Sequence, residues 1–84
     1  MKQDLTPWEL EVFKAIRKTR RKGIFIEELV KELYLSGVRR YSKSPSNSIR
    51  SAIRQINRKS TLYYVNGYNM GRGGKIVWIE RKAV

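Results

Sequence analysis

Apolar residues recur along this chain at helical spacing in its first two-thirds and crowd into strand-like runs in its last third. Trp8, Val12, Phe13 and Ile16 share one face of a helix. Its start is marked by Thr6 as cap, Pro7 in the first turn and Glu9 completing a capping box, with Leu5 and Leu10 spaced for a hydrophobic staple. The helix is expected to fade through Lys18–Lys22 and to stop at Gly23. Ile24-Phe25-Ile26 reads as a brief strand leading into a second helix, with Glu27 and Glu28 in its first turn and Leu29, Val30 and Leu33 facing inward. Glu27 and Lys31 form an i, i+4 pair on that helix, and Ser36-Gly37 marks its end.

The clearest stripe lies further on. Ile49, Ala52, Ile53 and Ile56 fall at i, i+3, i+4 and i+7 behind Ser44-Pro45, a cap followed by a first-turn proline, and predict a helix over 45–59. Residues 61–65 and 75–79 are β-branched and aromatic and predict two antiparallel strands. The segment 66–74 between them holds four glycines and reads as a loop, although Asn66-Gly67 is itself a tight-turn signal that would fold 68–70 back on 63–65. Tyr63 and Tyr64 must point to opposite faces of their strand, so one of them is expected to be exposed. Both strands are apolar on both faces, more than a one-sided hairpin needs.

Charge changes the picture most. The 84 residues carry 19 Lys and Arg against 7 Asp and Glu, net +12, which implies a polyanionic partner. The excess is uneven: residues 1–37 have 8 basic and 6 acidic side chains, whereas residues 38–84 have 11 basic and a single acid, Glu80. With neither Cys nor His, disulfides are excluded and an ordinary zinc site is not expected. No carboxylate cluster, nucleophile–base pair or phosphate-loop motif suggests an enzyme, a cofactor or a small-molecule ligand. No apolar stretch has the length of a membrane span or of a signal peptide, so a cytoplasmic protein is expected.

The order helix, short strand, helix, turn, helix, strand, basic glycine-rich loop, strand resembles the winged helix-turn-helix family. The resemblance runs from Thr6 to Arg81. It rests on Gly23-Ile24-Phe25-Ile26-Glu27-Glu28-Leu29-Val30, similar to the family's strand and second helix, and on residues 49–59, similar to its recognition helix. The third element is the basic hairpin from Leu62 to Ile79, similar to its wing. The resemblance implies one α+β domain over residues 1–84, with three helices and a C-terminal β-hairpin wing. It departs from the family in two places. Ile26 stands where a capping Thr or Ser is usual, and the connection from Leu35 to Ser44 is longer than a tight turn.

These patterns nominate a set of binding residues. With the isoleucine stripe turned inward, Asn47, Ser51, Arg54 and Arg58 lie on the opposite face of the third helix, flanked by Arg50 and Gln55. Arg suits the acceptor pair of guanine, and Asn or Gln the acceptor–donor pair of adenine, in a major groove wide enough for one helix. A charged helix face is ordinarily just solvated, but such faces mix signs, and this one, with Arg50, Arg54, Arg58 and Lys59, contains no acid. The loop 66–75 offers Tyr68, Arg72 and Lys75 to a minor groove or a phosphate, or is an ordinary hairpin turn. Arg39, Arg40 and Lys43 suit phosphate contacts, or a solvated loop. The cluster Lys18, Arg20, Arg21 and Lys22 reads as compensation of a helix dipole.

The expected function is sequence-specific binding of double-stranded DNA as a small transcriptional regulator of prokaryotic, plasmid or viral type. One rival is an RNA-binding or ribosome-associated module using Tyr41, Tyr68 and an exposed Tyr63 or Tyr64. Another is a protein-interaction module or homodimer joined through the apolar hairpin or the first helix.

Overall fold

A computed structural model describes residues 5–35, 43–69 and 74–82. In chain order these form helix α1 (Pro7–Arg17), a 3₁₀ turn (Arg20–Lys22) and strand β1 (Ile24–Phe25). Helix α2 (Ile26–Val30) then runs on as a π-helical turn (Lys31–Leu35), followed by helix α3 (Pro45–Lys59) and strands β2 (Tyr63–Asn69) and β3 (Lys75–Arg81). The three strands make one antiparallel sheet in the order β1-β3-β2. The fold is thus α+β, with three helices gathered on one face of a small sheet.

Local chemistry explains how each element starts. Thr6 caps α1 through the full capping box: Glu9 N–H donates to Thr6 Oγ1 at 3.2 Å, and Thr6 N–H donates to Glu9 Oε1 at 3.0 Å. Leu5 and Leu10 border one groove across that cap, with Leu10 still 40% exposed. The α-helical geometry ends at Arg17, six residues before Gly23. Thr19 donates from both its N–H and its hydroxyl to Ile16 O, closing the helix end. Gly23 then reverses the chain at φ +81°, and a Cβ there would stand 2.9 Å from Val77 O, so only glycine lets the turn approach β3.

α2 starts at Ile26 without a side-chain cap, because Phe25 occupies the capping position. The expected Glu27–Lys31 pair is replaced: Lys31 Nζ lies 4.0 Å from Glu28, one residue nearer along the helix. The expected stop at Ser36-Gly37 lies outside the described residues. α3 covers 45–59 as its stripe predicts, but Ser44 makes no side-chain cap hydrogen bond. Its carbonyl accepts from Ser48 N–H at 3.0 Å instead.

The hairpin is longer than its turn signals suggest. β2 and β3 pair over seven positions, from Tyr63 opposite Arg81 to Asn69 opposite Lys75. Asn66-Gly67 therefore sits in mid-strand, opposite Trp78 and Val77, and the 68–70 fold-back does not form. The segment 66–75 is strand as far as Asn69 and again from Lys75, because a continuous ladder outweighs one dipeptide's turn preference.

Alternation along these strands puts Val65, Val77 and Ile79 on the helix side. The core joins Val12 and Ile16 of α1, Leu29 and Leu33 of the second helical segment, Ile49 and Ile56 of α3, and Val65 and Val77, all at most 6% exposed. Burial of each such side chain contributes about 1.5–3 kcal/mol. Trp8 packs edge-on to Tyr34, with ring centroids 5.7 Å apart. Among the described residues no helix is long and apolar enough to cross a membrane.

Candidate nucleic-acid interface

α3 is fixed in the core by Ile49, Ala52 and Ile56, with Ile53 half-buried beside them. That anchoring turns the opposite face outward: Asn47, Arg50, Ser51, Arg54 and Arg58 are all exposed, and Gln55 is half-buried at the margin. Lys43 is exposed just ahead of the helix. A 15-residue helix is about 22 Å long, so these side chains extend along some four turns.

Between α3 and the hairpin lies a groove of about 310 Å³. Arg50 and Arg54 border it from the helix, and Lys75 borders it from the first residue of β3. Gly67 forms part of its wall. A Cβ there would come within 2.6 Å of Lys75 Cε and 3.1 Å of Val77 Cγ1, so the glycine preserves the opening. Lys75 therefore reaches the groove from a paired strand, not from a loop. Tyr68 has the opposite parity and stands 62% exposed on the far face of the sheet, away from Arg50 and Arg54. Arg39, Arg40, Tyr41 and Arg72 lie outside the described residues.

One residue that the sequence pattern did not single out sets the groove's geometry. Asn57 Oδ1 accepts from Val65 N–H at 2.7 Å, and its Nδ2 donates to Val65 O at 3.1 Å. This two-point clamp fixes the rotation of α3 against β2 at the groove's edge. A polar residue beside the isoleucine stripe was its only trace in the sequence.

The acids are arranged so as to leave the α3 face positive. Glu80, the lone acid after residue 37, points to the far side of the sheet. There Trp78 Nε1 donates to it at 2.7 Å, Tyr64 Oη at 2.8 Å and Asn66 Nδ2 at 3.3 Å. These three donors hold its carboxyl below the usual carboxylate range, and the bond to Glu80 pushes the Tyr64 phenol up. Glu9 is buried at the start of α1 and meets Lys59 Nζ at 2.8 Å. Burial pushes the Glu9 carboxyl up, but the Lys59 ammonium and the Thr6 N–H outweigh it and hold it below its ordinary value. Lys59, expected among the outward cations of α3, is thus engaged by α1, and the outward set reduces to Arg50, Arg54 and Arg58.

The arrangement presents guanidinium and amide groups on a rigid helix, with a lysine facing them across a groove. Among the described residues no group of three or more acids is placed to hold a metal ion. Comparison with protein-family models, with curated proteins and with solved structures finds no match to this chain.

Proposed function

We propose that this chain is a winged helix-turn-helix protein that binds double-stranded DNA sequence-specifically and acts as a small transcriptional regulator. α3 lies in the major groove, and the tip of the β2–β3 hairpin serves as the wing. The observation that carries this reading is the acid-free outer face of a helix whose other face is locked in the core, facing Lys75 across an open groove. The sheet order supports it as well. β1 adds to β3 and leaves β2 beside α3, so the hairpin flanks the helix that does the reading.

In this reading Arg50, Arg54 and Arg58 divide between base edges and phosphates, while Asn47 and Gln55 supply amide groups for adenine. Lys43 and Lys75 contact phosphates at the two ends of the interface. Fixing α3 to β2 through Asn57 means that helix and wing engage the duplex as one rigid unit, which limits the ordering cost of binding.

The test is competition for a labelled mixed-sequence duplex near physiological salt, because net charge alone ensures binding at low salt. Unlabelled duplex should displace the label more effectively than structured RNA, and selection from random duplexes should return a preferred site. Better displacement by structured RNA would move the function to RNA binding.

A further inference from the structure

A second basic groove, of about 600 Å³, opens at the other end of the hairpin from the α3 interface. Lys14 and Arg17 border it from α1, and Arg20 and Arg21 from the 3₁₀ turn; Phe13 and Tyr63 are the aromatic residues of its wall. All four cations are exposed, and none is within ion-pair distance of a carboxylate among the described residues. Lys18, also at the groove, is paired with Glu32. Dipole compensation at the end of α1 accounts for Lys14 and Arg17, but not for cations carried past the helix end onto the next turn. Arg20 holds φ +57°, a left-handed conformation that side chains rarely adopt.

The wall distinguishes this groove from the one at α3. Phe13 and Tyr63 meet with ring centroids 6.2 Å apart and planes tilted by 60°, so they are not stacked on one another. Tyr63 remains 37% exposed, although it stands on the helix side of its strand. Among the described residues no aromatic side chain borders the α3 groove. Tyr63 and Gly67 share a face of β2 four residues apart, about 13 Å, so the two grooves are separate but close.

We propose that this groove binds an unpaired nucleic-acid strand, with a base stacked on Tyr63 and phosphates held by Arg17 and Arg20. Exposed cations beside an accessible aromatic ring are the pairing that a single strand requires: every base has a π-face to stack, and the backbone follows positive charge. A paired duplex has no free base to offer to the rings. The assignment goes beyond the reading of α3 and does not depend on it. Together the two grooves suit a duplex that carries a single-stranded extension.

The experiment compares a blunt mixed-sequence duplex with the same duplex extended by an overhang of about eight thymine nucleotides, near physiological salt, by fluorescence anisotropy. The protein should bind the extended duplex roughly five- to tenfold more tightly. Tyr63→Leu leaves the charge unchanged and should reduce that preference to about twofold or less, with blunt-duplex affinity held within about twofold. Arg20→Gly should reduce it as well. Glycine adopts a positive φ without penalty, so this variant keeps the fold and decides the matter if Tyr63→Leu does not fold. Equal affinity for the two duplexes overturns the proposal, as does a preference that survives in folded Tyr63→Leu and in Arg20→Gly. Loss of the preference in Arg54→Ala also overturns it, because the overhang would then occupy the α3 groove. If Arg54→Ala changes nothing while Tyr63→Leu removes the preference, the single-strand groove stands and the α3 reading falls.

Discussion

Helices α1 and α3 pack against each other in the core, and each opens on a hydroxyl residue followed by proline, yet their outer faces differ in kind. α1 carries acids among its bases. Glu9 closes its own capping box and engages Lys59 as well, and that bridge joins the start of one helix to the end of the other. α3 carries no acid, makes no side-chain cap at Ser44 and leaves Arg50, Arg54 and Arg58 in solvent. The start of the first helix is tied into the molecule through Glu9, while its last turn leaves Lys14 and Arg17 in solvent; the third helix has no acid to turn inward anywhere along its length. The same inward pattern of aliphatic residues thus supports a helix with a bonded start and mixed charge in one place and an acid-free face in the other.

The comparison is broken most severely in the core, where the two helices should respond alike. Ile16→Ala in α1 and Ile56→Ala in α3 each remove a side chain with no exposed surface, and each should cost about 2–5 kcal/mol. Against a total stability of about 4–13 kcal/mol for a domain of this length, either is a large fraction. Urea unfolding should give similar losses for the pair. A large loss in one and little in the other would mean that the two helices do not share a single core.

The outward faces should separate them. Arg54→Ala should weaken binding to a preferred duplex site by about 1–3 kcal/mol and relax discrimination at one base pair. Glu11→Gln on α1 should leave duplex discrimination unchanged. An Arg54→Ala loss that is equal on every duplex sequence would assign Arg54 to a phosphate contact and leave base reading to the other residues of that face.

This division also accounts for how much was legible beforehand. The span of α3 was readable because a first-turn proline and an i, i+3, i+4, i+7 isoleucine stripe are local features that tertiary packing then used unchanged. The hairpin's length was not, because the Asn66-Gly67 turn preference competes with a seven-position ladder whose partners lie 6 to 18 residues away in sequence. The exposed face of α3 followed from helical geometry once the inward stripe was known. The Asn57 clamp and the Lys59–Glu9 pair were invisible, since each depends on which distant element comes alongside, 8 and 50 residues away. Helical spacing alone therefore puts Lys59 among the outward cations, whereas the fold pairs it with Glu9 of α1. The groove walled by Phe13 and Tyr63 could not be foreseen either. Strand alternation predicts that one of two adjacent tyrosines is exposed, but not that it meets an arginine-bearing turn.

Capping is the next difference to probe, and a smaller one. Thr6→Ala removes an oxygen that accepts a backbone N–H and should cost about 1 kcal/mol, lowering the melting temperature by roughly 4–8 °C. Ser44→Ala removes no side-chain cap bond and should therefore cost less at its helix start than Thr6→Ala does. Thermal unfolding of the two variants side by side decides this, and equal losses would mean that the two helix starts are held in the same way.

The smallest effect lies in the pH dependence. Glu9 and Glu80 both have carboxyls held below the ordinary value in the folded chain, so each binds a proton more readily when unfolded. Their contribution is therefore fully present above the unfolded value, near 4.5, and is lost as pH falls through the lower folded value. Melting temperature should be level from neutral pH down to about 5 as far as these two groups decide it, and should fall below that. Glu9→Gln retains a side chain able to close the capping box but removes the charge facing Lys59. This variant should start slightly below the parent at neutral pH and lose less on acidification, so that the two curves converge. Parallel curves would show that the Lys59–Glu9 bridge contributes nothing to holding the end of α3 against α1. That duty would then fall to the hydrocarbon contacts alone, and the contrast between an inward-bonded α1 and an outward-facing α3 would rest on α3.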